Sequence, residues 1–262
     1  MAIQSLQSEP TNPPGAIEIR KIGMGSPFRW LREGWRTFRL APFYSLLYGA
    51  LFAASSLAAV DFTRQMPWLT ITFLTGMMLV THYLAAGLYP AAQQLLRGES
   101  ISIREAIRVL RSRATNLAFF ALFLGLIMAA WVRLASLLFA VMFTTLSPPI
   151  EGFVGIFSDQ TNLVVVGFFF LIGFILASTV FTCTAIAVPL IIDRDDNPFT
   201  AVLVSVKAVA RNWAPMLLWA ALIATLTIVG TITGFAAMVI IFPVLGYATW
   251  HAYRELVIRS DG

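Results

Sequence analysis

The feature that most constrains this chain is a set of long intervals with no charged side chain: residues 40–60, 65–96, 114–132, 134–150, 160–192 and 212–253. A soluble domain carries about 25% Asp, Glu, Lys and Arg, whereas the 262 residues here carry 12%, with 58% hydrophobic residues. A helix crosses a bilayer with about 20 apolar residues. Interval 40–60 therefore makes one span, 160–192 one long or tilted span, and 212–253 two. The reversal between those two falls at Gly230-Thr231-Ile232-Thr233-Gly234, where paired glycines permit the turn. Residues 65–96 give one span with its exit, and Asn116 to about Ala140 another, interrupted by Arg133. The expected fold class is all-α, a polytopic membrane helix bundle of six spans.

Orientation follows from the basic residues, because Lys and Arg flanking the spans stay cytoplasmic. Of 18, six precede the first span, five lie between spans two and three, three between spans four and five, and two follow span six. Arg64 and Arg133 are the exceptions. Both termini are thus expected in the cytoplasm of a multi-pass inner-membrane protein. Residues 1–25 are polar and lack the apolar core of a signal peptide, so they read as a flexible cytoplasmic tail. Residues 26–256 form the membrane domain and 257–262 a C-terminal tail.

One local pattern recurs three times, the mark of an internal repeat. Ser26-Pro27 and Asn197-Pro198 place a capping residue before a proline, and Ser102 with Glu105 has the capping-box spacing. Each start leads into an amphipathic stretch. The first sets Phe28, Leu31, Trp35 and Phe38 beside Arg29, Arg32, Arg36 and Arg39. The second sets Ile103, Ile107 and Leu110 beside Arg104, Arg108 and Arg111. The third sets Phe199, Val202, Val206 and Val209 beside Lys207 and Arg211. Helices of this kind lie in the headgroup plane, apolar face down, with their cations on anionic lipid phosphates. Two spans follow each, the second carrying Pro90, Pro189 or Pro243 near its cytoplasmic end. The repeats run near 26–96, 101–193 and 197–254. Gly76, Gly87, Gly125, Gly167, Gly173, Gly230 and Gly234 suit close helix approach.

Candidate chemistry is sparse. Arg133, as an intramembrane charge, either snorkels to the outer interface or pairs with Asp61 or Asp159. His82 lies eight residues before Pro90 and His251 eight after Pro243. If those prolines share a depth, the imidazoles are roughly 24 Å apart along the membrane normal, too far for one haem between them. Met77, Met78 and His82 read as packing rather than a soft copper ligand set. Asp193-Arg194-Asp195-Asp196 reads as acids at a helix N-terminus. The lone cysteine, Cys183, reads as a small hydrophobe. No P-loop, GxSxG, HExxH or Cys/His zinc spacing occurs in the sequence. No catalytic group, cofactor or metal site is therefore expected, and the positive charge, formally +5, is assigned to the membrane surface and not to nucleic acid.

Three strings then carry a resemblance. They are Val188-Pro189-Leu190-Ile191-Ile192-Asp193-Arg194-Asp195 with Ala201, Ser205 and Asn212; Pro243 to Arg254, with Gly246, Trp250, His251 and Tyr253; and Gly34-Trp35 with Pro42, Ser45, Tyr48 and Gly49. Together they resemble the motifs of a bacterial family of integral membrane proteins, the domain of unknown function 2189, over about residues 26–256. The likeness marks Pro189, Asp193, Arg194, Asp195, Gly246, Trp250, His251 and Tyr253 as family-motif positions. Some relatives are labelled cytochrome c oxidase subunit I-like. An oxidase core needs more histidines than the two present, and Tyr247 stands where many relatives have histidine. What the label implies is association with a respiratory complex.

The expectation for function is a non-enzymatic inner-membrane protein acting by contact. It would be an accessory or assembly subunit of a larger energy-transducing membrane complex, with membrane lipids and other integral membrane subunits as partners. The rival is a small transporter or lipid-handling protein.

Overall fold

In a computed structural model the structure describes residues 17–63, 81, 84–145 and 160–259. The chain runs β1 (Ile17–Ile19), α1 (Ser26–Leu40), α2 (Pro42–Thr63), α3 (84–96), α4 (Ile103–Ser112) and α5 (Ala114–Thr145). It continues with α6 (Gln160–Thr184), α7 (Ala187–Arg194), α8 (Pro198–Arg211), α9 (Trp213–Ile232), α10 (Met238–Leu256) and β2 (Val257–Arg259). The fold is helical, and among the described residues four stretches are long and apolar enough to cross a membrane: Pro42–Phe62, Ala114–Leu134, Leu171–Arg194 and Trp213–Ile232. The expected second span falls largely on residues outside the described ones. The expected sixth is α10, which is not among those four: it carries Tyr247, His251, Tyr253, Arg254 and Glu255 and buries Phe242, Tyr247, Trp250 and Tyr253 among others. An interior helix answers to its neighbours, not to lipid, and tolerates polar groups that those neighbours satisfy.

Three times an amphipathic helix is joined to an apolar one through a single residue: Ala41 between α1 and α2, Arg113 between α4 and α5, Asn212 between α8 and α9. The helix starts follow local chemistry in two of three cases. The Asn197 side chain accepts from the Phe199 N–H at 2.9 Å, and Ser102 from the Glu105 N–H at 3.3 Å. At α1 the expectation is corrected. Gly25 is the cap and Ser26 sits inside the helix, its hydroxyl bonded to Glu255 at 2.9 Å.

The face that α1 packs against the other helices shares only Phe38 with the apolar stripe expected to face the membrane. Ser26, Trp30, Gly34, Thr37 and Phe38 are buried, while Phe28 and Trp35 are exposed. On α8, Ala201, Val204, Ser205 and Ala208 face inward and Phe199 outward. Small residues such as Gly34, Ala201 and Ala208 let these helices seat closely, and Phe28, Trp35 and Phe199 point outward. The tight seat on α10 needs glycine. A Cβ on Gly34 would lie 2.6 Å from the Val244 carbonyl oxygen, and one on Gly49 would collide with the Val239 carbonyl. Of the glycines expected at helix contacts, Gly87 meets Tyr48, Gly230 meets Met238 and a Cβ on Gly173 would lie 3.4 Å from Trp131, whereas Gly125, Gly167 and Gly234 meet nothing within 4 Å among the described residues. Gly76 lies outside the described residues.

Two further expectations are corrected. The α9–α10 reversal comes slightly later than expected, over 233–237, with Gly234 and Phe235 at positive φ. Within the expected tails, residues 17–19 and 257–259 form strands. β1 pairs antiparallel with β2, Ile17 opposite Arg259 and Ile19 opposite Val257. The Arg20 N–H continues the ladder to the Leu256 carbonyl at 2.8 Å. Asn212 then acts as a further rung, its amide accepting from the Ile22 N–H at 2.9 Å and donating to the Arg20 carbonyl at 3.0 Å. The segments preceding α1 and following α10 therefore meet at one end of the bundle.

Candidate functional site

Side-chain hydrogen bonds from neighbouring helices converge on three proline-bearing segments, α3, α7 and α10. Proline has no N–H and its ring crowds the carbonyl four residues back, so each proline weakens one turn. A neighbouring helix attends to each weak turn. Near Pro90, the Tyr44 hydroxyl donates to the Gly87 carbonyl at 3.0 Å. Before Pro189 the helix breaks at Ala185-Ile186, and there the buried Ser205 hydroxyl donates to the Thr182 carbonyl at 2.8 Å and accepts from the Ile186 N–H at 3.4 Å. At Pro243 the carbonyl deprived of its donor is that of Val239, against which Gly49 packs.

Along α10, Tyr247, His251 and Glu255 recur every four residues, and so share one helix face. Each meets a polar partner on α1 or α2. Ser45 and Tyr247 lie 3.0 Å apart, and because the Ser45 hydroxyl also donates to the Ala41 carbonyl at 2.8 Å, Tyr247 is the donor between them. Thr37 donates to the Glu33 carbonyl at 2.9 Å, so its contact with His251 Nε2 at 3.0 Å assigns the proton to that nitrogen. Glu255 accepts from the Trp30 indole N–H at 2.7 Å, from Ser26 at 2.9 Å and from Arg29.

The adjacent face of α10 joins the other two segments. Trp250 stacks on Tyr89 with ring centroids 5.8 Å apart, and a Cβ on Gly246 would lie 2.6 Å from Leu88. Tyr253 donates to Asp193 at 2.7 Å, and Gln93 donates to the same carboxylate at 3.3 Å. Asp195, in a left-handed turn at φ 59° that ends α7, pairs with Arg113 at 2.5 Å and accepts from Asn116 at 3.0 Å. Of the expected family-motif positions, the structure thus brings together Asp193, Gly246, Trp250, His251 and Tyr253, with Pro189 and Arg194 on α7 and Asp195 just beyond it.

The expected headgroup cations are placed separately. Arg29, Arg32, Arg36 and Arg39 lie exposed on α1, Arg104, Arg108 and Arg111 on α4, and Lys207 and Arg211 on α8. Arg36 pairs with Glu33 at 2.8 Å and Arg108 with Glu105 at 2.6 Å. Arg133 is exposed on α5. Asp159, His82, Met77 and Met78 lie outside the described residues. No grouping of three or more His, Cys, Asp or Glu suited to a metal occurs among the described residues. Reading the sequence alone passed over Glu255, Trp30, Thr37, Gln93 and Arg113. The one signal for part of this set was the four-residue spacing of Tyr247, His251 and Glu255 in an otherwise apolar run.

Fold and junction define the class: a multi-pass helical membrane protein whose interior polar groups bond helix to helix. Residues 69–193 match the model of the domain of unknown function 2189 family, described as a predicted integral membrane protein. That is the family resembled by the sequence strings. The matched segment includes Pro90 and Val188 to Asp193, and the strings at 34–49 and 243–254 lie beyond it. No curated protein and no solved structure matches the chain.

Proposed function

We propose that this protein is a non-enzymatic accessory or assembly subunit of a larger membrane complex, acting by lateral contact in a bacterial inner membrane. The observation that carries this reading is the saturation of the acids at the junction of the helices. Asp193, Asp195 and Glu255 each accept from two or more side chains, which suits groups that hold helices in place better than groups that turn over a substrate. Outward-facing bulky residues on the apolar helices, such as Leu122, Leu126, Phe174 and Ile228, supply surface for lipid or a neighbouring subunit. In this reading the chain has six spans in three repeats, α3 with the residues before it forming the second span and α10 the sixth. The threefold single-residue joints favour the repeat. Pairing of β1 with β2 favours an even number of crossings, and the basic α1, α4 and α8 favour the cytoplasm for that end.

Affinity isolation of the tagged chain from native membranes in mild detergent, with mass spectrometry and a visible spectrum of the eluate, tests the role. Stoichiometric recovery of other integral subunits is expected. A lone, haem-free chain would overturn it and lead to flux assays. Cysteine labelling beside Glu151 tests the topology, and a cytoplasmic result there would overturn the orientation. The second reading, lipid handling, has one specific observation in its favour: an open groove of about 650 Å³ between the α1–α2 corner and the segment joining α3 to α4.

A further inference from the structure

We infer that this groove holds one molecule of an anionic glycerophospholipid with a hydroxylated headgroup, of the phosphatidylglycerol type; the inference rests on the multi-pass reading, in which α2 meets the membrane at Pro42. The lining divides by chemistry. Leu40, Pro42, Phe43, Leu95 and Ile103 supply an apolar floor, and Glu99 with Ser100 supplies a polar edge. Phe43 is 83% exposed and Leu40 65%, a disposition suited to acyl chains and not to water. The depth also fits, because the groove opens at the first residues of an apolar helix long enough to cross the bilayer, where headgroup meets chain.

Charge selects an anion. Arg39, Arg97 and Arg104 are each the immediate chain neighbour of a lining residue, and all three are exposed. They make no ion pair among the described residues, whereas Arg29, Arg36, Arg108 and Arg113 do. The lining carries one charge, Glu99, and the three arginines next to it in sequence would outweigh that carboxylate for a phosphodiester. Glu99 in turn is an acceptor for headgroup hydroxyls, which phosphatidylglycerol has and phosphatidate lacks. Long arginine side chains on apolar stems reach a phosphate while their methylenes cover the chains below.

The test is lipid retention by the intact purified chain, read by native mass spectrometry after exchange into detergent with added phosphatidylglycerol, phosphatidate or phosphatidylcholine. The wild type is expected to retain one phosphatidylglycerol in preference to the other two. Arg39→Gln/Arg97→Gln/Arg104→Gln should weaken retention at least about tenfold. Arg20→Gln/Lys21→Gln/Arg254→Gln, which removes the same charge from exposed positions elsewhere, should leave it unchanged. Glu99→Gln should narrow the preference over phosphatidate. Equal loss in the two triple variants, or equal retention of phosphatidylcholine, would overturn the site while leaving the multi-pass reading intact. Release of the wild-type chain from membranes by alkaline carbonate would overturn the multi-pass reading itself.

Discussion

An 18-residue window in Leu171–Arg194 and one in Ala114–Leu134 have the same mean hydropathy, 2.2, yet 56% of the first window and 22% of the second is buried. Apolarity therefore decides that both can lie in a membrane and says nothing about which of them has neighbours. The difference arises at the end of the first stretch. From Thr184 to Ile192 every residue is buried, where Pro189 interrupts the helix and Ser205, Tyr253 and Gln93 converge on the interrupted segment. Ala114–Leu134 has no proline, and its Gly125 meets nothing within 4 Å. Association between helices in lipid depends on close packing and on bonds between polar groups, because lipid is as apolar as leucine. The bundle is accordingly stitched at one end and open along its flanks.

The sharpest way to break this contrast is to add the same side chain to a glycine in each region. Gly49→Leu must push α2 away from the Val239 carbonyl of α10, and since backbone cannot yield as a flexible side chain does, a loss of about 3 kcal/mol or more is expected. Gly125→Leu on α5 should be neutral within about 0.5 kcal/mol, or slightly stabilising through helix propensity. Denaturation of the purified variants in detergent, followed by tryptophan fluorescence, compares them directly. Equal losses at both sites would show that the flanks are as tightly packed as the α2–α10 contact.

Next in size is the Glu255 cluster, where the buried partner and the exposed one separate. Trp30 is only 1% exposed, so Glu255→Ala strands a buried indole N–H and should cost about 2–3 kcal/mol. Arg29 sits half in water, with 49% of its side chain exposed, and Arg29→Gln should cost less than about 1 kcal/mol. Were Arg29→Gln as damaging as Glu255→Ala, the ion pair and not the indole bond would be the anchor. A smaller loss, about 1–2 kcal/mol, is expected for Ser205→Ala, which leaves the Thr182 carbonyl and Ile186 N–H without their partner. Thr225→Ala removes a hydroxyl that bonds only its own helix at the Ala221 carbonyl and serves as the neutral control.

These contrasts also mark how far the sequence could be read. Charge-free length located the stretches now found in α2, α5, α6 with α7, and α9. Cap chemistry located the starts of α4 and α8, because both signals are local. The stripe of Phe28, Leu31, Trp35 and Phe38 marks an apolar side of α1, on which Phe28 and Trp35 stay exposed and Phe38 is buried. The protein contact made by Trp30 and Gly34, off that stripe, has no such periodic signal. Pro189 signalled a weakened turn, but Ser205, which repairs it from another helix, carries no local mark. The β1–β2 pairing joins residues some 240 positions apart, and three-residue strands have no periodicity to detect.

The smallest expected effect lies in the turn between α7 and α8, at the stitched end itself. Asp196 has a carboxylate oxygen enclosed without a hydrogen-bond donor among the described residues, and that burial raises its carboxyl above the ordinary value of 3.8 against the opposing pull of Arg194. A carboxyl whose folded-state value lies above its unfolded one binds a proton more readily when folded. Its ionised form therefore costs stability at neutral pH, and the cost disappears as pH falls through the raised value towards 3.8. Asp196→Asn removes the charge at every pH. The variant should exceed the wild type near pH 7 by no more than about 0.5 kcal/mol, because the rest of the residue is solvated, and the gap should close on acidification. Unfolding midpoints of both chains across the acidic range measure this. A variant less stable than the wild type at neutral pH would mean that the Asp196 charge helps to hold the α7–α8 turn, extending the saturation of Asp193 and Asp195 to the last acid of the run.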